Sequence, residues 1–291
     1  MGHRGGWSIT ERIYSIAGVR LRVIGSERWM YQQEGALGSF ATTDGWDHTL
    51  EFEVVEQLSA PEGECVHREP GKQIYIHGDT QLRYEGAVEK NLEHAYLRIA
   101  RQGNLSRVQV KQESVPYGIT HKLVMNCMEA EHLLIAAGGF LLHASCIRRN
   151  GKAILFTAPS GTGKSTQADL WCKLRGAELI NGDRAAIFPC EGNAQARGIP
   201  FCGSSGVTKN ETMPIEAIIY LSQAPSTTIT RLTGAKAFRR IWEGCSVNVW
   251  NKTDMERCSQ SVLDTVSVIP VYHLACTPDE TAVSALEEVL K

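Results

Sequence analysis

The sequence predicts an α/β protein in two parts: a mixed sheet with helices over residues 138–291, preceded by a smaller, strand-rich α+β domain over residues 1–137. Three observations predict it. Short alternating runs fill residues 8–60, continuous apolar runs flanked by helical patterns follow residue 140, and a Gly138-Gly139 pair lies between. A length of 291 residues suits two modest domains.

In the first part, Val19–Ile24 and Leu50–Val55 alternate apolar and polar residues, as half-buried antiparallel strands do. Residues 59–72 carry two prolines and two glycines and read as a connection. Gln73–His77 and Gln81–Tyr84 read as a hairpin around Gly78-Asp79. A helix is expected over about 88–101, with Leu92, Tyr96 and Ile99 on one face, and a second over about 124–137, stopped by Gly138-Gly139.

In the second part, Phe140–Ile147 and Ala153–Thr157 are apolar strands joined at Asn150-Gly151, a strong two-residue hairpin signal. Helix is expected over 164–175, strands near 178–181, 185–188, 215–221 and 268–275, and helices near 235–247 and 254–266. A last helix is marked by Thr277 as cap, Pro278 at its first position and Glu280 three residues past the cap. Val283, Leu286 and Leu290 form its buried stripe.

Composition removes several function classes. The chain is 43% apolar and 21% charged, with a formal charge of −2. It therefore has no global basic field for nucleic acid or an anionic membrane. Nine cysteines include no C-x-x-C pair and form no disulfide framework. The Leu133–Leu142 apolar run is too short to cross a bilayer, and the N-terminus lacks a signal peptide's apolar core. A soluble, reduced, cytoplasmic protein is the expectation, with oligomerisation left open.

The sharpest signal is residues 158–165, Ala-Pro-Ser-Gly-Thr-Gly-Lys-Ser, between a strand and a helix. It fits the phosphate-binding pattern G-x-x-x-x-G-K-[ST], with Ala158 replacing the first glycine. Gly161 and Gly163 let backbone amides from Ser160, Thr162 and their neighbours converge on a polyphosphate. The following helix adds partial positive charge at its N-terminus, over Lys164, Ser165 and Thr166. Lys164 can reach the β- and γ-phosphates, and the Ser165 hydroxyl is placed to hold Mg²⁺.

Hairpin register supplies a second candidate. With Arg149 facing Lys152, paired positions sum to 301 and His143 falls opposite Ala158, at the loop's lip. There it could donate to a phosphate, ligate a metal or orient a carboxylate. The third candidate is Asp183, which ends the strand Leu179-Ile180-Asn181-Gly182, where a direct or second-shell Mg²⁺ ligand belongs. Arg184 follows, either neutralising phosphate or facing solvent.

Together these elements, L-L-H-A-S at 141–145, S-G-T-G-K-S-T at 160–166 and I-N-G-D at 180–183, resemble the HPr kinase and phosphoenolpyruvate carboxykinase superfamily. The resemblance implies a phosphate-loop kinase core of that type. His143 matches the family histidine, Lys164 and Ser165 its loop lysine and metal-binding hydroxyl, and Asp183 the second of two adjacent aspartates. It further implies ATP and Mg²⁺ as cofactors, metal ligation by Ser165 and Asp183, and catalysis by Asp183, His143 and Lys164. The implied activity is γ-phosphate transfer to a Ser or Thr hydroxyl of a peptide or protein, which the N-terminal domain would recognise. Three features depart from the family. Gly182 stands where the first acid is usual, Ala196 precedes Arg197-Gly198 in place of an acid, and no downstream substrate-capture loop is evident. A nucleotide-binding regulator without transfer, and a small-molecule or carboxykinase-like enzyme, are the alternatives.

Other residues are weaker candidates. The loop 198–206, with Cys202, could shape an acceptor pocket or close over nucleotide. Lys236, Arg239, Arg240 and Arg231 could screen phosphate charge or face solvent. Asp169 reads as an exposed helix residue, and Cys65 with His67 lacks further metal ligands.

Overall fold

In a computed structural model, described over residues 8–31, 33–87 and 92–291, the chain divides into two units, Met1–Glu129 and Ala130–Lys291. Both carry a mixed sheet, and the chain as a whole is mixed α/β. Among the described residues no helix is long and apolar enough to cross a membrane.

The first unit holds β1 (Ile9–Ile16), β2 (Val19–Ser26), β3 (His48–Val55), β4 (Glu64–Glu69), β5 (Gly71–His77), β6 (Thr80–Ala87), β7 (Leu97–Gln102), β8 (Leu105–Lys111) and α1 (His121–Cys127). The sheet order is β1-β2-β3-β8-β7-β6-β5-β4. Strict alternation in β2 puts Val19, Leu21 and Val23 in the core, as its sequence pattern requires. The first half departs from expectation in three ways. β3 pairs parallel, not antiparallel, with both β2 and β8. Residues 64–69 of the expected connection 59–72 are β4, an exposed edge strand whose polar composition hides it. The expected helix over 88–101 gives way to β7, in which Leu97 and Ile99 are buried at the two-residue period of a strand. Residues 88–91 of that span lie outside the described residues.

The second unit holds α2 (Ala130–Ala136), β9 (Phe140–Arg149), β10 (Lys152–Thr157), α3 (Lys164–Arg175), β11 (Glu178–Asn181), β12 (Arg184–Cys190), β13 (Asn193–Arg197), β14 (Thr212–Gln223), β15 (Thr228–Leu232), α4 (Gly234–Trp242), β16 (Cys245–Ser246), α5 (Lys252–Val268), β17 (Val271–Cys276) and α6 (Glu280–Val289). The helix expected over 124–137 is split into α1 and α2. Glu129, at φ +48°, breaks it, and its buried carboxylate accepts from Gln81 Nε2 at 2.9 Å and Arg101 Nε at 3.1 Å. The division between the units falls at that break, before the expected Gly138. The last helix is capped by Asp279, not Thr277. Asp279 accepts from Thr281 N at 2.9 Å, while the Thr277 hydroxyl donates to the Asp279 carboxylate.

The strand order β10-β9-β12-β13-β14-β17-β15 is closed on itself by a parallel β10–β14 pairing. β9 makes this possible by changing partners along its length. Phe140–His143 pair with β12, and Ala144–Arg149 pair with β10. Ala153–Phe156 of β10 are apolar because both faces of the strand are covered there. Ala153 and Leu155 pack with Ala237 and Ile241 of α4 and Val262 of α5. Ile154 and Phe156 pack with Trp171 of α3 and Val283 and Leu286 of α6. Each large side chain buried this way contributes about 1.5–3 kcal/mol. The strand that leads into the glycine-rich loop is thus held on both faces.

Candidate active site

The hairpin at Asn150-Gly151 forms in the expected register, from Lys152↔Arg149 to Thr157↔Ala144. The ladder stops there, one pair short of His143. His143 instead faces Arg184 across β12, and its backbone is pinned from two sides. Its N–H donates to Gly244 O at 2.8 Å, and its carbonyl accepts from Thr157 Oγ1 at 2.9 Å.

Beyond Thr157 the chain turns through Ala158–Gly163 into α3. Gly161 at φ +78° and Gly163 at φ +116° both adopt the left-handed region, which glycine alone enters without strain. Gly163 caps α3 with no side-chain hydrogen bond, so the first-turn amides are donors without a helical acceptor. Ser160, Ser165 and Thr166 are exposed, and Thr162 and Gly163 half-buried, around that turn. The Lys164 side chain is buried and folds back over the loop, donating to Ala158 O at 3.1 Å and Pro159 O at 3.5 Å. Burial lowers its pKa, and the nearby Asp183 carboxylate opposes that shift.

Asp183 joins these parts. Its Oδ1 lies 3.4 Å from His143 Nε2, and its Oδ2 lies 3.3 Å from Arg184 Nε. Burial, and next the Lys164 charge, lower the His143 pKa, with Asp183 acting against them. Burial and the neighbouring lysine thus favour the neutral imidazole, the form able to accept a proton. The structure thus gathers His143, Lys164, Asp183 and the loop 160–166. Arg184 also approaches Glu131 at 3.7 Å and lies over the Phe201 ring at 5.6 Å.

The glycine at position 182 has a physical explanation. A Cβ there would lie 2.6 Å from Ser205 Cβ and closer still to its hydroxyl. The turn Gly203–Ser205 therefore occupies the space of the missing side chain, and Gly203 abuts Asp183 in the same way. Asn181 holds the two segments together. Its Oδ1 accepts from Asp183 N at 2.9 Å and Arg184 N at 3.0 Å. Its Nδ2 donates to Ile199 O at 3.1 Å and Phe201 O at 2.7 Å. Asn181 and Ser205 were not singled out by sequence reasoning. The Asn-Gly-Asp turn chemistry is the one signal that could have marked Asn181.

The remaining candidates are not drawn in. Lys236, Arg239, Arg231 and Asp169 are exposed. Arg240 stacks on Tyr220 at 4.5 Å and pairs with Glu243 at 3.0 Å. Cys202 is half-buried. No group of three or more His, Cys, Asp or Glu side chains is arranged to hold a metal among the described residues, Cys65 and His67 included. For Mg²⁺ the oxygen donors of Ser165 and Asp183 do fit. That ion takes one or two carboxylates and keeps phosphates and water for its remaining positions.

A family model described as "SynChlorMet cassette protein ScmC" matches residues 119–291, more than half of the chain. The chain belongs to this family. The match to the ScmC family runs through every element of the second unit and so contains the whole site. No curated protein matches the chain. Among solved structures, the HPr(Ser) kinase/phosphatase from Coxiella burnetii is similar at 11% identity, covering 51% of this chain and 95% of that one. Its TM-score is 0.31, too low for the likeness to carry an argument about fold or activity.

Proposed function

We propose that this ScmC-family protein is an ATP- and Mg²⁺-dependent phosphotransferase that moves the γ-phosphate to a Ser or Thr hydroxyl of a peptide or protein. The observation that carries the reading is the convergence of a histidine, a carboxylate and a buried lysine on an uncapped helix N-terminus. Transfer of this kind is mostly positioning and charge stabilisation, so few groups are needed. The loop amides and Lys164 would hold the phosphates and spread the developing charge. Asp183, oriented by His143, would accept the acceptor hydroxyl's proton, with Arg184 restraining its other oxygen. Ser165 and Asp183 would hold Mg²⁺, which neutralises phosphate charge when bound. The first unit would recognise the acceptor.

A second reading, a nucleotide-binding regulator that does not transfer, is favoured by Gly182, since Ser205 fills the place of a second acid. Incubation with γ-labelled ATP, Mg²⁺ and host lysate separates the two. A labelled acceptor that disappears in Lys164→Ala and in Asp183→Asn supports transfer. Tight ATP binding with no labelled product in the wild type supports the regulator.

A further inference from the structure

A loop of the second unit, residues 199–208, lies against Asp183 and is tied at both ends to the strand that precedes it. Asn181 Nδ2 donates to Ile199 O at 3.1 Å and Phe201 O at 2.7 Å, and Lys209 N donates to Ile180 O at 3.1 Å. Between those ties the tip of the loop, the turn Gly203–Ser205, sits directly on the carboxylate. A Cβ on Gly203 would lie 2.9 Å from Asp183 Cβ and 3.2 Å from Oδ1, the oxygen that faces His143. A side chain at 203 would collide, so the contact requires glycine.

The tip carries two serines whose hydroxyls differ. Ser205 Oγ donates to Cys202 O at 2.7 Å and accepts from Val207 N at 3.2 Å, so it is committed to the turn. Ser204 is exposed, and its hydroxyl has no partner among the described residues. Its Cα is one peptide step, about 3.8 Å, from that of Gly203, which holds Ser204 within reach of Asp183. Tethering at that range gives the hydroxyl an effective concentration far above that of a free acceptor. Lys164 interacts electrostatically with the same carboxylate. Arg184 stands between Asp183, at 3.3 Å, and the Phe201 ring of this loop, at 5.6 Å, a cation placed to meet a phosphate on the tip.

We propose that Ser204 is an internal phosphoacceptor, so that the protein transfers a γ-phosphate to its own loop. The inference rests on the phosphotransferase reading of the same site. The Ser204 oxygen forms a bond to the γ-phosphorus as the bond from that phosphorus to the β,γ-bridging oxygen breaks. The hydroxyl proton goes to Asp183, and ADP leaves with the electron pair of the broken bond. The product sets roughly −1.5 to −2 of charge beside Asp183. Like charges repel there, so the tip lifts from the carboxylate towards Arg184 and modification stops at a single phosphate per chain.

The test incubates the full chain alone with γ-labelled ATP and Mg²⁺ and maps the phosphate by peptide mass spectrometry. Label is expected on Ser204, rising towards a single phosphate per chain at a fractional rate independent of protein concentration. Ser204→Ala should lower the label to the level of Lys164→Ala, and Ser204→Thr should keep it. Both variants should melt with the wild type, since the side chain is exposed. Label confined to other residues, label that survives Ser204→Ala, or a fractional rate that rises in proportion to protein concentration would overturn the inference. A wild type that labels an acceptor in lysate but not itself would overturn it while sparing the phosphotransferase reading. A wild type that binds ATP and labels nothing, with or without lysate, would overturn both.

Discussion

The two ends of β9 are built for different purposes. At the hairpin end, Arg148 bridges Glu178 and Glu211, Lys209 pairs with Glu178, and Arg175 holds Glu287 at 2.8 Å. Arg148, Lys209 and Arg175 each meet a carboxylate there. At the loop end, Asp183 is shared at 3.3–3.4 Å between Arg184 and His143, and among the described residues Lys164 hydrogen-bonds only carbonyl oxygens. The first arrangement closes a surface. The second leaves a cation and a carboxylate loosely satisfied and within reach of an added anion, which is what a binding site needs and a stable core avoids.

The largest effect should come from breaking the loop end. Lys164→Ala is expected to remove about 3–4 kcal/mol of transition-state stabilisation, on the order of 10²–10³ in kcat, with a melting temperature close to wild type. Steady-state assay with labelled ATP reads it, and unchanged turnover would remove Lys164 from the site. At the other end, Gly198→Ala should destabilise by about 2–3 kcal/mol in denaturant titration, because the added methyl overlaps the Lys209 carbonyl. A normal midpoint would show that this backbone contact is looser than it looks.

Gly182→Asp sharpens the contrast. The single change should cost about 1–2 kcal/mol by collision with Ser205, and Ser205→Gly should recover most of it. If the double variant also transfers faster, the second acid is what the site lacks. Arg148→Ala should cost about 1 kcal/mol or less, since its partners are half-exposed, and leave transfer untouched. Loss of activity there would erase the division of labour between the ends.

The smallest effect is on pH dependence. His143 has a lowered pKa in the folded chain, so the folded state binds its proton less readily than the unfolded one. Stability from this group is full above the unfolded value of about 6.5 and falls as pH drops from there towards the folded value. Transfer should fall over the same window as the imidazole gains charge. His143→Gln should flatten both acid limbs relative to wild type. Identical limbs would place His143 outside the chemistry.

Much of the second unit was legible because local and global signals agree there. Asn150-Gly151 set the β9–β10 register, and the apolar run of β10 reflects cover on both faces. That His143, Lys164 and Asp183 lie near one another was legible from the hairpin register, the glycine-rich loop pattern and a strand end, since a strand, a loop and a helix N-terminus leave little freedom. The first unit resisted for physical reasons. β4 is a polar edge strand, and the pattern around Leu97 and Ile99 fits a helical stripe as well as a strand until β6 and β8 flank it. The break at Glu129 was hidden because its cause, pairing with Gln81 and Arg101, is distant in sequence. Ser205 was hidden likewise, because its role is to fill the space beside Gly182.

The chain contains two Asn-Gly steps, the sequence most prone to spontaneous deamidation through attack of the glycine nitrogen on the side-chain amide. Asn150 sits exposed in a turn at φ +50°, where such attack meets little resistance. Asn181 is locked by hydrogen bonds to both its amide oxygen and nitrogen, and conversion to a carboxylate would set negative charge against the Ile199 and Phe201 carbonyls. Ageing of the protein in storage should therefore mark the hairpin first, and spare the residue that ties Asp183 to its neighbouring loop.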